Sequence, residues 1–166
     1  MDTLADRARD IRLLVLDVDG VLTDGRLYFS ARGEEMKSFH VRDGAGIVAL
    51  LRAGIHVAVI SGRHSEAVAR RMSELGVMHV RQGIQDKGGA LQELLGILNV
   101  TPQALACIGD DVPDLPLFAA AHLAVGVADA HPAVAAQAHY ITRARGGEGA
   151  VREVCDLIID ARGRPP

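Results

Sequence analysis

The chain has 166 residues, 49% hydrophobic and 23% charged, which supplies apolar material for one core and points to one domain. A net charge of -3, a pI near 6.1 and an aromatic content of 3% without tryptophan argue against general affinity for nucleic acid or an anionic membrane surface. No apolar stretch reaches the length of a bilayer span, and an N-terminus mixing Asp2, Asp6 and Arg7 lacks the apolar segment of a signal peptide.

The first apolar run, residues 11–18, reads as a strand that ends in Asp17 and Asp19. In an extended strand, side chains at i and i+2 project to the same side, so these carboxylates are expected to crowd at the strand's end. Crowded carboxylates repel and need a cation, a shared proton or a catalytic purpose; a strand stopping in a polar Asp/Gly turn is the plain alternative. Thr23 and Asp24 suit a turn or capping role as well as a functional one. Residues 26–29 and 35–41, joined through 30–34, read as a β-hairpin. Helical patterns follow at 46–53, 65–75, 87–99 and 114–121, alternating with strand-like runs at 56–60, 78–80, 104–108 and 122–125. This alternation predicts an α/β fold, a Rossmann-like doubly wound parallel sheet with helices on both faces and a small hairpin insertion after strand 1. Without repeats or linkers, residues 1–166 read as one domain, with the hairpin at about 26–41 and a C-terminal tail at about 145–166. Cys107, in an apolar run, and Cys155, in a helix-like segment, read as buried thiols in a reducing cytoplasm.

Open α/β sheets bind ligands beyond the carboxyl ends of their strands. Four polar clusters follow strand-like runs: Asp17 to Gly20, Ser61-Gly62-Arg63, Gln85 to Gly88 with Lys87, and Gly109 to Asp114. Each alone has an ordinary explanation, such as Ser61 or Ser65 capping a helix, a solvated Lys87, or a capped turn at Asp111 and Asp114. Together they supply carboxylates, a hydroxyl and an ammonium at one sheet edge. That inventory suits phosphoryl transfer with magnesium: a carboxylate can attack phosphorus, a cation and a lysine offset charge, and a second carboxylate moves the proton.

Asp17-Val18-Asp19-Gly20-Val21-Leu22-Thr23-Asp24, Ile60-Ser61-Gly62-Arg63, Lys87, and Gly109-Asp110-Asp111 with Asp114 resemble the four ordered motifs of haloacid dehalogenase superfamily phosphatases. The resemblance implies Asp17 as nucleophile and Asp19 as general acid/base. It implies Mg²⁺ held by Asp17, the Asp19 backbone carbonyl and Asp110, the phosphoryl group held by Ser61 and Lys87, and Asp111 and Asp114 as supporting acids. A closer resemblance, to the family of 3-deoxy-D-manno-octulosonate 8-phosphate (KDO 8-phosphate) phosphatases, rests on Phe39-His40-Val41-Arg42-Asp43-Gly44-Ala45-Gly46 and Gly146-Gly147-Glu148-Gly149-Ala150-Val151-Arg152-Glu153. It implies a cytoplasmic homotetramer without a cap domain, in which a neighbour's hairpin and tail close the site. The substrate is then a small phosphorylated sugar acid from lipopolysaccharide precursor synthesis, with neither nucleic acid nor membrane as partner. Only 41 residues separate Asp19 from Ser61, which leaves no room for a large lid.

Such a substrate calls for cations beyond Lys87. Arg63 and Gly62 follow the serine, and Arg71 lies about two helical turns later on a similar face. By the same resemblance, in which enzymes for nine-carbon sugar acids tend to carry an acidic residue at this place, Arg63 implies the eight-carbon acid; a nine-carbon relative remains an alternative together with other small phosphate esters. Lys37, Arg42 and Asp43 are further candidates, although Asp43 also suits a cap for the helix from Gly46. Gly146 to Gly149 reads as a flexible loop or as a hinge that swings Arg152 toward a neighbour; Glu148 stands where the family often has another residue. His40 and His64 read as structural or solvent-facing. A receiver-type phospho-Asp signalling domain uses similar groups but places its acceptor after the third strand, and a catalytically silent relative would have lost Asp17 or Asp19.

Overall fold

The computed structural model describes residues 2–163. In chain order the elements are α1 (Leu4–Arg9), β1 (Leu13–Leu16), β2 (Tyr28–Ser30), β3 (Gly33–Met36), α2 (Val41–Arg52), β4 (His56–Ile60), α3 (Glu66–Leu75) and β5 (His79–Arg81). They continue with α4 (Lys87–Leu98), β6 (Leu105–Gly109), α5 (Leu115–Ala120), β7 (Leu123–Gly126), α6 (Pro132–Ala135), β8 (Tyr140–Ile141) and α7 (Ala150–Arg162). Six parallel strands form one sheet in the order β5-β4-β1-β6-β7-β8, the doubly wound arrangement expected; β2 and β3 form a separate antiparallel hairpin.

The strands read as unbroken apolar runs because both faces of the sheet are covered. Leu14 and Leu16 join one layer with Ile47, Leu50, Val154 and Ile158 of α2 and α7, whereas Leu13 and Val15 join the other with Leu91, Leu94 and Phe118 of α4 and α5. β1 lies between β4 and β6, with Leu16 opposite both Val59 and Ile108. Parallel pairing therefore brings the residues after β1, β4 and β6 to one edge: Asp17, Ser61 and Asp110.

Local differences from the sequence reading have identifiable causes. β1 ends at Leu16, so Asp17 and Asp19 leave the strand rather than sharing its last pleat, and Gly20 turns the chain at φ +88°. Helix α2 starts at Val41, not residue 46, with His40 Nδ1 accepting the Arg42 N–H as its N-cap; glycines 44 and 46 hid the first turn from the pattern. Asp43 consequently caps no helix of its own. The second hairpin arm is shorter than 35–41. Elements α1, α6 and β8 were not anticipated, being short and weakly patterned. Much of the segment expected as a tail is α7, whose Val151, Val154, Cys155 and Ile158 are fully buried. Burial of a Val or Ile side chain is worth about 1.5–3 kcal/mol, so α7 is part of the core.

Candidate active site

The acidic cluster grows from the ends of β1 and β6. Asp17 follows β1, held by a hydrogen bond from its N–H to the Ile108 carbonyl. Lys87, the first residue of α4, reaches across from the far side of the β4–β5 loops. Its Nζ lies 2.9 Å from Asp17 Oδ1 and 2.6 Å from Asp114 Oδ1, and all three side chains are buried. The other Asp114 oxygen accepts the N–H of Asp110 at 3.0 Å and of Asp111 at 3.4 Å, while the Asp111 carboxylate accepts the Val112 N–H. Asp114 thus fixes both the lysine and the turn that carries Asp110.

A cleft of about 340 Å³ is lined by Asp17, Asp19, Ser61, Arg63, Lys87 and Asp110, together with Gly62, Asp111 and Asp114. Every motif residue expected at the site except Arg71 therefore meets in one place. Ser61 is 3% exposed and continues β4, its N–H bonded to the Arg81 carbonyl. Arg63 approaches Asp19 Oδ2 at 3.9 Å from the exposed rim. Within this chain Arg71 lines not the cleft but a neighbouring cavity of about 510 Å³ with Lys37, Phe39, Glu66 and Arg70, and pairs with Glu74 at 3.4 Å. The eight-residue spacing from Arg63 was counted as though one helix carried both, but α3 begins only at Glu66, so the face shared with the cleft is lost.

Electrostatics mark this cleft as incomplete. Burial and then the Asp114 charge push Asp17 up to about 6, against the lowering influence of Lys87. Burial and then the Asp17, Asp114 and Asp111 charges push Asp110 up to about 8. Lys87 is raised: its burial works against the charge, but Asp17 and Asp114 outweigh it. Carboxylates whose ionisation is disfavoured by burial and by one another are the expected mark of a cation site. Asp17, Asp110 and Asp114 offer oxygens within 4.8 Å of one another, the one such group of three among the described residues. Since both Asp114 oxygens are already committed, Asp17 and Asp110 are the side chains with capacity for a hard divalent ion.

Two partners act where the sequence only hinted. Lys37, at the base of the hairpin and almost wholly buried, donates to Asp19 Oδ1, so it pairs with the second aspartate. Thr23 ties the first loop together, accepting from the Gly20 and Gly25 N–H groups, and Asp24 pairs with Arg26 on the surface; both serve the turn.

Residues 77–154 match the haloacid dehalogenase-like hydrolase family. A 3-deoxy-D-manno-octulosonate 8-phosphate phosphatase of Yersinia pestis is 50% identical over 161 residues, covering 97% of this chain and 86% of the relative. The chain belongs to this phosphatase family. The crystal structure of that Yersinia protein superposes with a TM-score of 0.94, covering 96% of this chain and 86% of the other. A Moraxella catarrhalis member solved with magnesium, phosphate and KDO is 43% identical, with a TM-score of 0.93 and coverage of 96% and 91%. The cobalt-bound Haemophilus influenzae member is 44% identical, with a TM-score of 0.92 and coverage of 95% and 92%. The Rossmann-like sheet and the phosphatase class expected from the motifs are thus both established.

Proposed function

We propose that the chain hydrolyses 3-deoxy-D-manno-octulosonate 8-phosphate to KDO and phosphate, using Mg²⁺ and a covalent phosphate on Asp17. The observation that carries the chemistry is the convergence of Asp17, Lys87 and Asp110 in one cleft, with Asp19 on its wall. Asp17 and Asp110 would hold Mg²⁺, which would supply positive charge to offset that of the phosphoryl group. Lys87 orients the Asp17 carboxylate and lies in position to offset charge on the transferring group. An Asp17 oxygen forms a bond to phosphorus as the bond from phosphorus to the sugar oxygen breaks, and Asp19 gives that oxygen its proton. Asp19 then takes a proton from water, whose oxygen displaces Asp17 from phosphorus and releases phosphate. Ser61 holds the phosphoryl group, Asp114 positions Lys87, and Asp111 maintains the turn carrying Asp110.

The choice of sugar acid is supported by the Moraxella relative and by the basic side chains next to the cleft. Arg63 stands on its rim, while Lys37, Arg70 and Arg71 line the adjoining cavity, and these cations suit a carboxylate. Assembly into a homotetramer is part of the same reading. Tyr28, Phe29 and Met36 of the hairpin are exposed around an apolar groove of about 520 Å³, a surface suited to a second copy of this chain. Cys107 and Cys155 are free and buried, which suits the cytoplasm; among the described residues no helix is long and apolar enough to cross a membrane. A panel of phosphorylated sugar acids assayed with Mg²⁺ tests the proposal. KDO 8-phosphate should give the highest kcat/KM, with EDTA abolishing turnover. Preference for a nine-carbon acid would reject the substrate, and full turnover after metal removal would reject the mechanism.

A further inference from the structure

The glycine pair Gly146-Gly147 is not among the residues that line the cleft, yet its backbone is pressed against the loop that carries the catalytic aspartates. A Cβ on Gly146 would lie 1.7 Å from the Gly20 carbonyl oxygen, and one on Gly147 would lie 2.5 Å from both Asp24 N and Thr23 C. Gly147 also donates its N–H to the Val21 carbonyl at 3.0 Å. Gly20 in turn has no free side: a Cβ there would lie 2.0 Å from Asp110 Oδ2. The Gly20 peptide is therefore stacked between the Gly146 backbone and the carboxylate expected to hold Mg²⁺.

The pressing turn is itself anchored by three carboxylates from separate parts of the fold. Asp129 Oδ1 accepts the Gly146 N–H at 3.1 Å, and its other oxygen lies 3.6 Å from Arg145 Nε. Glu153 accepts the N–H groups of Arg143 and Ala144 and the Tyr140 hydroxyl. Asp43 of α2 accepts the Arg152 N–H at 2.8 Å, tying the start of α7 to the helix beside it. A loop so held is not a swinging hinge.

We propose that the turn at Gly146-Gly147 is a positioning brace, which sets the spacing between the Asp19-Gly20 backbone and Asp110 and thereby the affinity for the divalent ion. The inference rests on the reading of Asp110 as a metal ligand. Gly146, Gly147 and Asp129 lie outside the cleft lining and are positioning residues that act through the Gly20 peptide. Any side chain at position 146 must displace either the turn or the Gly20 peptide, and the latter is in contact with Asp110. Groups that orient metal ligands typically change affinity about 10–100-fold when removed.

The test is Mg²⁺ binding measured by calorimetry on the full chain, with thermal denaturation in EDTA as a check on folding. Wild type should bind Mg²⁺. Gly146→Ala should weaken binding about tenfold or more. Asp129→Ala should weaken it several-fold, whereas Asp129→Asn, which keeps an oxygen acceptor for the Gly146 N–H, should stay close to wild type. Gly149→Ala strains the same turn at φ +106° with nothing within 4 Å of the added carbon, and should leave Mg²⁺ binding close to wild type. If Gly146→Ala does not fold, the two Asp129 variants carry the test. Wild-type affinity in both Gly146→Ala and Asp129→Ala overturns the brace, as does equal weakening by Gly149→Ala or by Asp129→Asn. Wild-type protein that hydrolyses phosphate esters but binds no Mg²⁺ overturns the metal site, and the brace with it.

Discussion

The acidic cleft and the hairpin are both unfinished, but in opposite ways. In the cleft the buried ionic atoms have protein partners: Lys87 bridges Asp17 and Asp114, and Asp114 holds two amides. What is lacking is charge, because Asp17, Asp19, Asp110, Asp111 and Asp114 face only Lys37, Lys87 and Arg63. The hairpin has its strand pairing, yet Phe29 is 63% and Met36 72% exposed, so its apolar surface is uncovered. One region has the makings of an ion site and the other an apolar surface that the proposed assembly would cover. The two regions meet at Lys37, which follows the hairpin and pairs with Asp19.

The largest effect that separates the two regions is chemical. Asp17→Asn should lower kcat by on the order of 10³-fold or more, with folding and assembly intact by circular dichroism and light scattering. Comparable turnover in that variant would remove Asp17 from its role. The next is energetic. Lys87→Met leaves Asp17 and Asp114 buried without their cation and should cost about 3–5 kcal/mol in EDTA by chemical denaturation, part of which Mg²⁺ restores. No loss of stability would show that the cleft is not electrostatically strained.

Phe29→Asp attacks the other region. If the proposed tetramer forms through the hairpin, the variant should run as smaller species than wild type in size-exclusion chromatography with light scattering, with the denaturation midpoint of the subunit little changed. A monomeric wild type would dismiss the hairpin as an interface. The smallest effect concerns pH. A carboxyl with a raised folded-state pKa gives stability that is present below the unfolded carboxylate range and lost as pH rises through the folded value, about 6 for Asp17 and about 8 for Asp110. In EDTA, Asp110→Asn should therefore gain stability over wild type progressively between pH 4 and about 8, whereas in saturating Mg²⁺ the wild type should be the more stable at the upper end. A pH-independent difference would reject the repulsion argued here.

The sheet and the acidic edge were legible because their signals are local. A strand buried on both faces is apolar at every position, as in Leu13 to Leu16, and the motif residues follow the strands directly. What acts across the fold left weaker traces. Asp43 lies 109 residues from the Arg152 amide it accepts, and nothing near it in the chain indicates that partner. Helix α2 was begun late because Gly44 and Gly46 look like loop residues. Gly44 is small where Arg71 packs, a Cβ there lying 2.4 Å from the guanidinium, and Gly46 is small where α7 packs on Arg152 and Cys155. Arg63 and Arg71 share no helix, because α3 begins only at Glu66, so the eight-residue spacing does not place them on one face. The glycine pair at 146 was visible as an anomaly, but the Gly20 peptide that explains it becomes apparent only in three dimensions.

Trapping the phosphorylated carboxylate tests the central claim most directly. Borohydride added during Mg²⁺-supported turnover reduces an acyl phosphate to an alcohol, and peptide mass spectrometry then locates the altered residue. Reduction at Asp17, dependent on both substrate and Mg²⁺, is the expected result; reduction at Asp19 or Asp110 with Asp17 unaltered would contradict it.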